Sequence, residues 1–411
     1  MEFDFATQYD RHDRDALALD SVGKPFPDTP EGPDEGFDVI PMWVADMSFA
    51  TAPSVVQAIQ RRVDHPLFGY FYPSGEAIDS IVRWQCSRNG LDCLAPEHIS
   101  FHNGLLGGVL SALSAVASPG DCILLNSPTY TGFTNTLRNA GYRIILSPLI
   151  LDSRGVYRMD YRDMDRKIAE FDIRAAILCS PHNPTGRVWT VDELTRAMAV
   201  FESHGCLVVS DEIWSDIILE GNIHIPTQSV SDYAWNHVVG MYAPSKTFNI
   251  AGLPGAYSLI YDQGLKRRID SLASKSHYNE MNVLSMHAMI GGYSEQGALW
   301  LDALRLVIDA NVQTCIEFFS TIPGVFCSRP QGTYMLFLDF TGWCASCGCT
   351  LDDLLRDGWR VGVAWQDGRP FHGECHIRMN LALPAARLDE ALARLRTYVF
   401  HDQGRRSCQS E

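Results

Sequence analysis

Three short apolar runs in the middle of the chain each end abruptly on a polar cluster, and this pattern constrains the fold more than any other. "AAILCS" (175–180) is followed by "PHNPTG" (181–186), "CLVVS" (206–210) by "DEIW" (211–214), and "HVVGMYAPS" (237–245) by Lys246. Apolar runs of this length bounded by turn formers read as buried strands. Further strands are predicted at 122–125 and 142–146. Helical periods lie between them. One covers 105–117 and stops at "SPGD"; another opens at the capping box Thr190 to Glu193 and stops near Gly205. Strand–helix alternation of this extent predicts an α/β fold, a mostly parallel central sheet covered by helices. Such sheets bind ligands beyond the carboxyl ends of their strands. Asn183, Asp211 and Lys246 all fall on that edge.

The 411 residues suit one large and one small domain, and 46% hydrophobic with 20% charged residues describes an ordered globular chain. A net charge of -16 argues against nucleic acid or an anionic membrane surface as the main partner. No apolar run approaches the roughly 20 residues needed to span a bilayer. The start, "MEFDFATQYD", lacks the layout of a signal peptide, so a cytoplasmic location is expected. Twelve cysteines, several in apolar segments (Cys122, Cys179, Cys206), read as reduced thiols. The cluster "WCASCGCT" holds Cys344, Cys347 and Cys349, and Cys375 with His376 would in principle complete a zinc set. Short cysteine spacings recur without metal, so the cluster is read as a loop before a helix at Leu351, and no metal is expected. Residues 21–41 read as an irregular arm and 401–411 as a frayed tail.

An amine, a carboxylate and an anion-binding helix start are what pyridoxal 5'-phosphate requires. Lys246 would attach to the aldehyde, since desolvation at a buried strand end favours a neutral, nucleophilic amine. Asp211 would pair with the pyridine nitrogen and Asn183 would hydrogen-bond the phenolic oxygen. The phosphate would sit at the helix start in "NGLLGG", on the N–H groups of Leu105 and Leu106, with the Ser245 hydroxyl beside it. Tyr130, in "SPTYTGF", would stack on the ring. Taken singly, each has an ordinary reading: a solvated lysine, a turn-capping aspartate, a core tyrosine, glycines that pack a helix. His182 reads as a packing residue. Their order and strand-end placement make the set specific.

"SPHNPTG", "SDEIW" and "SKTFNIAGL", in that order, make the chain resemble the fold-type I aminotransferase superfamily, class I/II. Within it, "PMWVADMSFATAPSVVQAI", "FGYFYP", "PSKTFNIAGL" and "HIRMNLALP" are most similar to the MalY/PatB-type cystathionine β-lyase or C–S lyase subgroup. The resemblance runs from about 37 to 385. It implies an arm and small-domain segment at 1–50, a cofactor-binding large domain at 51–290, a smaller α+β C-terminal domain at 291–400 and a flexible tail at 401–411. It also implies that Lys246 is the Schiff-base lysine and proton shuttle. Arg378 would bind the substrate α-carboxylate from the open side of its strand, facing away from Ile377, Met379 and Leu381. Ala45 and Asn183 would border the substrate. Tyr70 would reach the phosphate of a neighbouring subunit, which makes the expected assembly a homodimer.

The implied activity is β-elimination of an S-substituted cysteine to a thiol, pyruvate and ammonia. Aminotransfer and decarboxylation-coupled oxidative deamination are the alternatives, because the same lysine and ring serve all three. A non-catalytic regulatory protein of this fold is the reading of a different class. Three positions depart from the pattern. Trp214 stands where Tyr or His is usual, and indole donates but cannot accept. Pro254 stands where many aminotransferases have a phosphate-binding arginine. Ser48 replaces an acid near the substrate entrance. The C–S lyase subgroup commonly lacks that arginine too, so it is Trp214 and Ser48 that point to a specialised, bulky sulfur conjugate.

Overall fold

The computed structural model describes residues 3–400, and the expected tail at 401–411 lies outside them. The predicted strands form as Cys122–Ser127, Arg143–Pro148, Ala175–Cys179, Leu207–Asp211 and Val238–Tyr242, five parallel neighbours. Ala256–Leu259 adds antiparallel to Val238–Tyr242, and Ile99–His102 closes the seven-stranded sheet beside it. Alternate side chains feed two apolar layers. Leu125, Ile177, Val209 and Met241 pack under Val109, Leu113, Phe133 and Leu137. Leu124, Leu178 and Val208 pack under Met164, Ile168, Leu194 and Phe201. Burial on both faces is why these strands read as unbroken apolar runs.

The helix Val191–Ser203 opens with the predicted reciprocal cap between Thr190 and Glu193. The helix predicted over 105–117 ends earlier, as Leu105–Leu113, and residues after Ser114 continue in tighter turns. A second sheet, all antiparallel, contains Phe326–Cys327, Met335–Asp339, Gln366–Asp367 and His376–Asn380. The arm at 21–41 is irregular until its end, where Ile40–Pro41 pairs in parallel with Val363–Ala364. One apolar cluster runs from Met42 and Phe49 through Trp214 and Phe248 to Leu336 and Met379, so the two sheets share a seam.

The cysteine-rich stretch differs from its expected loop. Thr341–Cys347 is a helix closed by Gly348 at φ 64°, with Trp343 and Cys344 buried beneath it. Burying an indole and a thiol side by side outweighs the turn tendency of "CGC". Burial, with the neighbouring Cys349 and Cys375, pushes the Cys344 thiol well up. Among the described residues no group of three or more His, Cys, Asp or Glu could hold a metal ion. No helix among them is long and apolar enough to cross a membrane.

Candidate active site

The parallel strands end together, and their register places Cys179, Asp211 and Met241 side by side. Asp211 is 3% exposed, and the Ile213 N–H donates to its Oδ1 at 3.1 Å. Burial pushes this carboxyl up to about 7, against the pull of that N–H and of the Lys246 amine. The adjacent acid, Glu212, does structural work. It accepts from His224 Nε2 at 2.8 Å, the Tyr242 hydroxyl at 2.6 Å and the Thr227 N–H at 2.9 Å, locking the strand end. Thr247 is tied in the same way, its hydroxyl donating to Asp216 at 2.7 Å. Lys246 therefore projects from a rigid base. Its Nζ donates to the Ala45 carbonyl at 2.7 Å and lies 5.8 Å from the centre of the Trp214 ring. Burial lowers the amine to about 8; nearby Arg378 acts in the same direction, and Asp46 and Asp211 oppose it.

A cavity of about 430 Å³ brings together Lys246, Asp211, Asn183, Tyr130, Ser245 and Trp214, with Leu105, Leu106 and Ala45 also on its wall. Gly104 caps the Leu105–Leu113 helix without a side chain, leaving that helix start to the cavity. The two glycines that follow have separate duties. A Cβ at Gly107 would strike the ring of Tyr278, a wall residue absent from the sequence reading; a Cβ at Gly108 would strike Met241 and His102 in the sheet. Tyr130 folds its ring over Gly132 in the same way, and burial raises its hydroxyl. His182 is packed as expected, bonded to Thr185 at 2.8 Å and edge-on to Trp189.

Arg378 corrects one expectation. The side of its strand read as open is closed, and the residue is 3% exposed. Its guanidinium lies 4.3 Å from the Phe371 ring centre, and Nη2 donates to Trp43 O at 3.0 Å and Gln366 Oε1 at 2.5 Å. Nη1 donates to Asn183 Oδ1 at 3.2 Å. Nε is buried with no partner among the described residues, a cation waiting for an acceptor. Burial pulls this group down to about 10.

A second cavity, of about 660 Å³, also opens on Lys246 and Ala45, and its wall includes Ser48, Asp46, Arg11 and Arg14. Tyr70 is on neither wall; it is fully exposed, and Leu67, Phe68 and Tyr72 beside it are exposed to lesser degrees. Two further residues escaped the sequence reading. Tyr334 donates to the Ala45 carbonyl at 3.0 Å, and Asp46 pairs with Arg11 at 2.6 Å.

Known proteins share this fold over most of the chain. Residues 38–395 match the family model described as aminotransferase class I and II. Cystathionine beta-lyase PatB of Bacillus subtilis is 33% identical over 363 residues, covering 87% of this chain and 92% of that protein. Cystalysin from Treponema denticola, whose crystal structure contains pyridoxal 5'-phosphate, is 28% identical, with a TM-score of 0.87 over 96% of this chain and 98% of its own. The pyridoxal-phosphate-bound C–S lyase of Staphylococcus hominis is 26% identical, with a TM-score of 0.84 over 96% and 97%. With the fold and nearly the full length in accord, the chain belongs to the aminotransferase class I and II family.

Proposed function

We propose that the protein is a pyridoxal-phosphate-dependent carbon–sulfur β-lyase that cleaves an S-substituted cysteine to a thiol, pyruvate and ammonia. The observation that carries this reading is the position of Lys246 at the junction of two cavities. The smaller has the donor set the cofactor needs: an amine, a buried carboxylate, an amide, an aromatic ring and an uncapped helix start. Bound there, the cofactor supplies an electron sink for the bonds at the substrate α-carbon.

The chain's own residues do the rest. Asp211 keeps a proton on the ring nitrogen, and a carboxyl already raised by burial gains from that partner. Asn183 holds the phenolic oxygen, with Trp214 able only to donate beside it. Leu105 and Leu106 N–H groups and the Ser245 hydroxyl hold the phosphate. Tyr130 covers one ring face. Arg378 takes the substrate α-carboxylate on its unpartnered Nε, a charge-assisted contact, while Trp43 and Gln366 keep Nη2 in place. Lys246 would remove the α-proton of the bound substrate, for which an amine near 8 is suited. Ala45 borders the substrate, and the larger cavity takes the sulfur substituent; its size supports a bulky conjugate.

Tyr70, exposed and on neither cavity wall of its own chain, serves the phosphate site of a second copy, so the working form is a homodimer. Residues 51–290 act as the cofactor-binding unit, 291–400 with 1–50 as the smaller one, in the cytoplasm. The test is to incubate the holoenzyme with a panel of cysteine S-conjugates and identify every product. Thiol and pyruvate in equal amounts are expected. Amino-group exchange between an amino acid and an oxo acid, with no pyruvate from any conjugate, would replace this reading by aminotransfer.

A further inference from the structure

The loop at 43–47 has little regular structure, yet side chains around the site take its carbonyls in succession. Trp43 O accepts from Arg378 at 3.0 Å and Val44 O from Asn380 at 2.7 Å. Ala45 O accepts from Lys246 at 2.7 Å and from Tyr334 at 3.0 Å. Asp46 O accepts from Asn380, and the Asp46 carboxylate from Arg11 at 2.6 Å. Asn249 holds Met47 at both its N–H and its carbonyl. The Ala45 carbonyl thus serves two side-chain donors at once, and one of them is the amine of Lys246.

A carbonyl oxygen has two lone pairs, but filling the second draws electron density from the first. An ammonium bonded to a shared oxygen is therefore stabilised less than one with the oxygen to itself, and hydrogen bonding to the charged form is one of the three things that set an amine's protonation. Tyr334 is well placed for that office. It is fully buried, standing edge-on to Trp214 with ring centres 4.7 Å apart. A phenylalanine would fill the same space, so the hydroxyl's contribution is the bond to Ala45.

We propose that Tyr334 is a positioning residue for the reaction described above: by holding the Ala45 carbonyl it limits that oxygen's grip on Lys246, leaving the displaced amine free to remove the α-proton. This rests on the assignment of Lys246 as the base. The charged groups facing Lys246 are Arg378 from the small sheet, Asp46 from the loop and Asp211 from the large sheet. Those facing Tyr334 are Asp46 and Arg378. Burial pushes the Tyr334 hydroxyl well above its ordinary range, so it remains a neutral donor at working pH. Removing it leaves every charge in place, and any change at the amine must travel through Ala45.

Tyr334→Phe separates this role from simple packing. In cofactor-free protein, the pH dependence of Lys246 acylation, read by mass spectrometry of its peptide, gives the protonation of the amine without any turnover. The variant should shift that midpoint upward by about half a unit to one unit. In the holoenzyme the acidic limb of kcat should move up equally, with KM within about twofold and the melting temperature nearly unchanged. Tyr334→Leu should show the same amine shift on a less stable background. An unmoved Lys246 midpoint in both variants, or a loss of turnover equal at every pH, would overturn the proposal and leave Tyr334 as packing. If the wild type released no pyruvate while the amine still shifted, the lyase reading would fail and the Tyr334 assignment would stand.

Discussion

Arg378 donates to the side-chain oxygen of Asn183 at 3.2 Å, joining a strand of the small sheet to the turn that follows a strand of the large one. The proposed anchor of the substrate carboxylate and the proposed ligand of the cofactor ring are therefore in direct contact.

Arg378→Ala should separate substrate binding from cofactor binding. A buried charge-assisted pair of this kind is typically worth about 2–5 kcal/mol. KM for amino acid substrates should rise by about one and a half to three and a half decades, since each ~1.4 kcal/mol is tenfold. The visible spectrum of bound cofactor should persist. Substrate analogues without the carboxylate should lose much less. A variant that shed its cofactor and treated both substrate types alike would make Arg378 a structural residue.

Lys246→Ala removes both the covalent tether and the base. Turnover should fall by at least about three orders of magnitude, and the absorbance of tethered cofactor should vanish. Near-normal elimination would reject Lys246.

Asp211→Asn keeps an oxygen for the Ile213 N–H but removes the charge opposite the ring nitrogen. The cofactor should stay bound while α-proton removal slows by roughly tenfold or more, measured as the rate of deuterium exchange at the α-carbon. Unchanged exchange would mean that another group tunes the ring.

Activity should rise with pH toward about 8, because the neutral fraction of Lys246 grows through its lowered value. Asp46 favours the charged amine, so Asp46→Asn should bring the Lys246 midpoint lower still and move the acidic limb of kcat to lower pH. A limb that moved upward, or stayed in place, would remove Asp46 from the electrostatics of the base.

Glu193 accepts two 2.6 Å bonds from Arg187 and one from Arg158, also at 2.6 Å. Glu193→Gln would strand the Arg187 guanidinium, whose side chain is 3% exposed, and should cost about 3–5 kcal/mol. Burial alone would raise this carboxyl, but the Thr190 N–H and the two arginines hold it below its ordinary value. The native state thus favours the ionised form. Its contribution is present above the ordinary carboxyl range and is lost as pH falls through the lowered value. Melting temperature should drop on acidification below about pH 4 in the wild type, and the variant should lack that component.

Sequence alone determined the five parallel strands of the large sheet and the strand-end set, though not the antiparallel strands Ile99–His102 and Ala256–Leu259 beside them. A strand buried on both faces must be apolar throughout, so the run that ends at Asp211 has few other readings, and the parallel order then places Asn183 and Lys246 beside it. The sequence also revealed the cap of Val191–Ser203, because Thr190 and Glu193 bond within one turn. Only the tertiary structure decided how Arg378 is enclosed, since Trp43, Gln366 and Phe371 close over it from separate elements. It alone turned 341–347 into a helix, because what Trp343 and Cys344 pack against lies elsewhere in the chain. The tie between Tyr334 and Ala45 was invisible for a simpler reason. Their link to Lys246 runs through a backbone carbonyl, and every residue has one, so no choice of amino acid at Ala45 could announce it.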